Sequence, residues 1–132
     1  MIVNYGDVKV YTGPHVKDIC QYLLDNKMYV DGWSLKGFFN RVIKRSERII
    51  TKVAVKYIDG VPVGLATRGI MNGYTNFVMC YVKEEHRGAK IGSELVNLIK
   101  VGDKKYWAYT GYSWSQLFWE SVGVVSYSKI RY

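Results

Sequence analysis

The chain has 132 residues, 48% of them hydrophobic, and 23% charged. That is enough for one domain with a real core, spanning 1–132, and too little for two; it excludes wholesale disorder and a solenoid or propeller array. Nineteen Lys and Arg against eleven Asp and Glu give +8, which favours acidic partners: phosphates, nucleic acid or an acidic protein surface.

The opening "MIVNYGDVKVY" reads as a first strand and carries no signal-peptide pattern. "YTGPHVKDICQYLLDNK" then carries helix signals. Pro14 suits the first helical position, Val16, Ile19, Cys20, Leu23 and Leu24 make one apolar stripe, and Asn26 ends it. A second helix is expected from Ser34, with Leu35, Phe38, Phe39, Val42 and Ile43 on its apolar side. Its other side carries Lys36, Arg41, Lys44 and Arg45, with Arg48 just beyond. Such a run most often marks a solvated face, but only Glu47 balances it nearby.

The period then changes. "ITKVAVKYI" and "VPVGLATRG" flank Asp59-Gly60, a strong hairpin signal. "TNFVMCYV" is apolar on both faces and so central. After a charged, glycine-containing turn, Ile91, Leu95, Leu98 and Ile99 line a helix that Gly102 can end. "KYWAYT" is another strand. "SWSQLFWESVG" is a short helix capped by Gly123, with Trp114, Leu117, Phe118 and Val122 on one stripe, and "VVSYSKIRY" closes the chain as a strand. The unit around residues 77–109 predicts a parallel crossover and the hairpin an antiparallel pair. The expected fold is therefore α+β: a mixed, twisted sheet with helices on both faces.

No uncharged stretch approaches the roughly 20 residues that cross a bilayer. Cys20 and Cys80 sit among apolar residues without metal-ligand spacing and read as reduced core thiols. With His15 and His86 the only histidines, no metal site is expected. The expected protein is soluble and cytoplasmic. Twelve tyrosines and four tryptophans beside so many cations would suit single-stranded nucleic acid, but burial is the commoner use of aromatics.

The turn "KEEHRGAKIG" places successive backbone N–H groups at a helix start, where the helix dipole adds partial positive charge. Arg87 and Lys90 add full charges, and Gly88 and Gly92 permit close approach to the backbone. The arrangement suits phosphate. It matches neither the P-loop nor the dinucleotide fingerprint, and glycine also serves strand–helix geometry alone.

"YVKEEHRGAKIGSELV" resembles the acyl-CoA motif of the GNAT superfamily of N-acetyltransferases, in which a strand ends in Val, a short acidic turn follows, and Arg/Gln-x-x-Gly-x-Gly/Ala opens a helix. Val82, Glu84, Glu85, Arg87, Gly88, Ile91, Gly92 and Leu95 fall in place. "SQLFWESVGV" resembles the later motif of the same family, and the order of elements resembles that fold over nearly the whole chain.

The resemblance implies acetyl-CoA as cofactor, with Arg87, Gly88, Ala89, Lys90, Ile91, Gly92 and Ser93 at its pyrophosphate. It implies a pantetheine arm between the strand ending at Val82 and the "KYWAYT" strand, which splay apart. The thioester carbonyl would meet a backbone N–H among Cys80, Tyr81 and Val82. Trp33 would stand on the acceptor side with the basic second helix. Members are monomers or homodimers, and "VVSYSKIRY" could supply a dimer strand.

Three positions depart from the family pattern. Lys90 replaces the middle glycine of the loop; ordinary dihedrals would accommodate it, and a positive φ would strain it. Asn76, six residues before Val82, stands where members that acetylate histone-type lysines carry a glutamate base. Trp119 stands where the family's tyrosine acid is usual and is expected to face the cleft. Tyr112 near the same helix and Tyr81 on the strand are the substitute candidates, although phenol, with its pKa of about 10, is a poor base near neutral pH. His86 is expected to pack and His15 to be solvated. Two functions follow: acetyl transfer from acetyl-CoA to a primary amine on an acidic protein, nucleic acid or other macromolecule, or a GNAT fold that binds such a partner through its basic face without chemistry.

Overall fold

A computed structural model describes residues 1–26, 50–71, 74–100, 105–110 and 118–128. They form one seven-stranded sheet whose strands lie in chain order. These are β1 (Ile2–Tyr5), β2 (Val8–Thr12), β3 (Ile50–Ile58), β4 (Val61–Met71), β5 (Tyr74–Val82), β6 (Trp107–Thr110) and β7 (Val125–Ser128). Neighbours from β1 to β5 are antiparallel, and β6 pairs parallel with both β5 and β7. The mixed sheet is as expected, with one more strand.

That strand comes from the N-terminus. The single strand expected over "MIVNYGDVKVY" is a hairpin, with Tyr5 opposite Val8 across Gly6-Asp7. Gly6 takes φ 70°, which a side chain would resist, so the chain reverses there instead of continuing. The Asp59-Gly60 turn forms as predicted. Both residues have positive φ (52° and 78°), as a two-residue turn matched to strand twist requires.

Helix α1 (His15–Asp25) follows β2 and buries Val16, Ile19, Cys20 and Leu23, the predicted stripe. Pro14 lies one residue before the helix, and Asn26 ends it through its N–H and its side-chain amide, both donating to the Tyr22 carbonyl. With Tyr11, Ile50, Val53, Val55, Leu65 and Phe77, α1 covers one face of the sheet. Helix α2 (Ile91–Ile99) covers the other, burying Ile91, Leu95, Val96 and Ile99 against Val8, Val10, Ala54, Ala66 and Val78. Helices on both faces are thus present. Helix α2 ends before the predicted Gly102, which lies outside the described residues. Its last carbonyl, at Ile99, accepts a 3.0 Å bond from Arg68 on β4, and Lys100 beyond it is extended.

One glycine decides how closely α2 lies on the sheet. A Cβ on Gly64 of β4 would stand 3.1 Å from Ile91 Cγ2 and 3.3 Å from Leu95 Cδ1. On the outer side of the same contact, Lys56 bridges Asp7 at 2.9 Å and Glu94 of α2 at 3.1 Å.

Among the described residues, no helix is long and apolar enough to cross a membrane, and no three His, Cys, Asp or Glu could hold a metal ion. Both cysteines are free, and burial pushes each thiol up to about 12. At pH 8 the thiolate fraction is then about one in ten thousand. Iodoacetamide should therefore leave both unlabelled in the native protein and label both in denaturant. The sign for stability follows: the folded state holds these protons more tightly, so stability falls as pH rises past the unfolded thiol value of about 8.5.

Candidate active site

The site begins with an irregularity in β5. Opposite β4, Phe77 pairs with Gly69 and Tyr74 with Met71, so β5 carries one residue more than its partner over this interval. The extra length is taken up at Asn76, in left-handed conformation with φ 56°. Asparagine is among the few side chains that accept this region readily, and such a bulge bends its strand. The Asn76 amide reaches the Lys105 carbonyl just ahead of β6, at 3.4 Å. Asn76 therefore serves the backbone, and its amide has no proton-accepting nitrogen to offer.

Among the described residues, β5 and β6 pair at one register position, Phe77 opposite Trp107. Residues 78–82 continue alongside β4, and among the described residues β6 does not follow them, so the two strands part there. The Lys83 N–H donates to Val63 O at 2.9 Å. Because strand groups alternate, Tyr81 and Met79 also address β4, and the N–H and C=O of Cys80 and Val82 face the gap. Arg87 Nε donates to Val82 O at 2.9 Å, which leaves the two N–H groups and the Cys80 carbonyl directed into the gap.

After β5 come a 3-10 turn, Glu84–His86, and then Gly88 at φ 94°. Lys90 follows at φ 61°, ψ 21° and forms the N-cap of α2 without a side-chain cap bond. The first N–H groups of α2 thus have no intrahelical acceptor and no cap from Lys90. Arg87, Gly88, Ala89 and Lys90 are exposed, and Gly92 and Ser93 half-buried. Of the two cases open for Lys90, ordinary dihedrals or a strained positive φ, the structure has the second. The position takes the left-handed form natural to glycine, and a non-glycine residue there costs on the order of 1–3 kcal/mol. Lys90→Gly should raise stability by about 1 kcal/mol net of the extra unfolded-chain entropy, read as a higher urea midpoint.

Trp119 requires a correction. The expected place facing the cleft is not the one it takes: it is 5% exposed and packed with Val122 and Val124 in the core beneath α2. The helical residues there, 118–121, instead turn Phe118 toward the loop. A Cβ on Gly92 would meet Phe118 Cε1 at 3.1 Å and Cζ at 3.2 Å, and Cys80 Sγ at 3.4 Å. The sequence pattern puts Phe118 on an apolar stripe, and nothing in that pattern marks its neighbour across the chain. Gly123 has φ 74° and closes this segment as predicted.

Tyr81 is half-buried on the α1 side. The Arg87 guanidinium lies 5.8 Å from its ring centroid. Burial raises the phenol's pKa, opposed by Arg87 and reinforced by Glu85 and Glu84. It is therefore a proton holder at neutral pH and no base. Of the other expected site residues, Tyr112, Trp33, Lys36, Arg41, Lys44 and Arg45 lie outside the described residues, as does Arg48.

No protein-family model matches the chain, and no curated protein does. A solved structure of similar shape is the aminoglycoside N-acetyltransferase AAC(6')-Iy in complex with CoA, with a TM-score of 0.58 and coverage of 93% of this chain and 96% of that one. The chain has the GNAT fold. Sequence identity is 13%, so the likeness rests on architecture. The described residues supply two strands that part, a bulge in the first of them, and a glycine-containing loop at a helix start.

Proposed function

We propose that the chain is a GNAT-like domain that transfers an acetyl group from acetyl-CoA to a primary amine on a protein or other macromolecule. The observation that carries this reading is the parting of β5 and β6 after Phe77–Trp107, with the Cys80 and Val82 N–H groups facing the gap beside an uncapped helix start. The solved structure of the same fold is a CoA complex, which supports the cofactor.

Acetyl-CoA would supply the acetyl thioester. The N–H groups from Gly88 to Ser93, with Arg87 and Lys90, would hold its pyrophosphate. The N–H groups of Cys80 and Val82 would take the carbonyl oxygen as charge develops on it. The attacking nitrogen forms the new bond to the acyl carbon, the carbon–sulfur bond breaks, the amine proton leaves to water, and the thiolate is protonated from water. Neither Asn76 nor buried Trp119 carries a proton in this scheme. The rate rests chiefly on orientation, which supplies roughly 7–11 kcal/mol in favourable cases.

A pH prediction follows. With no side-chain base titrating, the rate should climb with pH until the acceptor amine itself is neutral, near about 10.4 for a lysine. A plateau beginning near pH 7 would point to a base on the protein.

The macromolecular acceptor follows from charge. The chain carries +8, and the sequence expected on the acceptor side has Lys36, Arg41, Lys44, Arg45 and Arg48 against Glu47. A polycationic acceptor such as an aminoglycoside needs acidic walls. Incubation with acetyl-CoA and a panel of acidic peptides, RNA and an aminoglycoside, followed by mass spectrometry, tests this. Acetylated peptide or RNA is expected, and modification of the aminoglycoside alone would refute it.

One observation favours a second reading, a non-catalytic binder of an acidic partner. Both positions where the family usually holds its acid and base are occupied by residues tied into structure, Asn76 in a bulge and Trp119 in the core. That reading predicts salt-sensitive partner binding with no affinity for acetyl-CoA.

A further inference from the structure

We propose that Phe118 is a positioning residue that seats the first turn of α2 against β5, and that Gly92 is glycine to make room for it. The inference rests on reading that turn as the site of the donor's phosphates.

Gly92 has no positive φ, so its backbone would accept any residue. What it lacks is space. An added Cβ would crowd the edge of the Phe118 ring at 3.1 and 3.2 Å, closer than ordinary carbon contacts. Phe118 has little freedom to retreat. Its ring stands edge-on to Trp119, with centroids 4.9 Å apart and planes at 68°, and Trp119 is buried. The chain just beyond is tied by the Val124 N–H to Trp119 O at 2.9 Å and by Lys100 Nζ to Val122 O.

The third partner is Cys80, whose sulfur would lie 3.4 Å from the same Cβ. Its backbone N–H faces the gap. One ring edge thus sits where the α2 first turn, the gap-lining strand and the segment leading to β7 converge. By crowding Gly92 from one side while Cys80 meets it on another, the ring fixes where the N–H groups of α2 stand relative to those of Cys80 and Val82. That separation is the span from phosphate to thioester which a bound donor must bridge.

The test is a four-protein cycle: wild type, Gly92→Ala, Phe118→Leu and the double variant, each assayed by acetyl-CoA calorimetry and by urea denaturation. Overpacking makes Gly92→Ala bind about tenfold or more weakly. In the Phe118→Leu background the added methyl finds room, so the double variant should recover to within about threefold of Phe118→Leu alone. If the two residues act independently, the losses add, and the double variant is the weakest binder and the least stable of the four; if Phe118 packs without positioning, the urea midpoint recovers in the double variant and the affinity does not. Either result overturns the proposal. If wild type binds no acetyl-CoA, the functional reading fails by itself. The cycle is then read on urea midpoints, where a smaller cost of Gly92→Ala in the Phe118→Leu background supports the seating and equal cost overturns it.

Discussion

Gly64→Val is expected to lower stability by about 2–3 kcal/mol, the upper part of the range for overpacked cores. The reason is the lack of any place for a side chain. Its first carbon would press on Ile91 and Leu95, both buried, and on Val82 Cγ2 at 3.4 Å. Valine adds two further methyls. Helix α2 would have to lift from β4, pulling its first turn away from the gap. The variant should therefore lose acetyl-CoA affinity by about tenfold or more as well. A urea midpoint equal to wild type would show that α2 does not lie as tightly on β4 as this packing requires.

The second large effect is electrostatic. Replacing Arg87 and Lys90 together by glutamate should weaken acetyl-CoA binding about a hundredfold, the loss of two charge-assisted contacts. Both side chains are exposed, so the penalty should shrink as salt rises. Lys9→Glu on β2 together with Lys17→Glu on α1, two exposed reversals that change the net charge equally, is the matched control and should leave the affinity alone. Equal loss in the control would assign the effect to net charge and remove the loop's special role. Arg87 also holds the Val82 carbonyl, so a stability loss below about 1 kcal/mol accompanies the change.

Much of the fold was legible because its signals are local. The α1 stripe, the Asp59-Gly60 turn and the limits of β3 follow from periodicity and turn chemistry within a few residues. The resemblance to the GNAT motif added the parted strands and the loop. What escaped the sequence depends on partners distant in the chain. Gly6 inside an alternating run looks like a strand residue until its φ is known. At Lys90 the family glycine raises the left-handed case but the lysine does not decide it, and Asn76 reads as a missing base when its work is a bulge. Analogy with a tyrosine puts Trp119 in the cleft, but the larger indole is buried, and Phe118 beside it turns toward Gly92, 26 positions earlier in the chain. Such pairings are set by packing between elements, which no single window of sequence contains.

The most direct test of the account is calorimetric titration of acetyl-CoA into the wild-type protein at low salt. The account predicts saturable one-site binding with a Kd in the micromolar range, about −8 kcal/mol. Absence of binding at millimolar acetyl-CoA would contradict it, and would leave the gap between β5 and β6 as a feature of the fold without a donor to fill it.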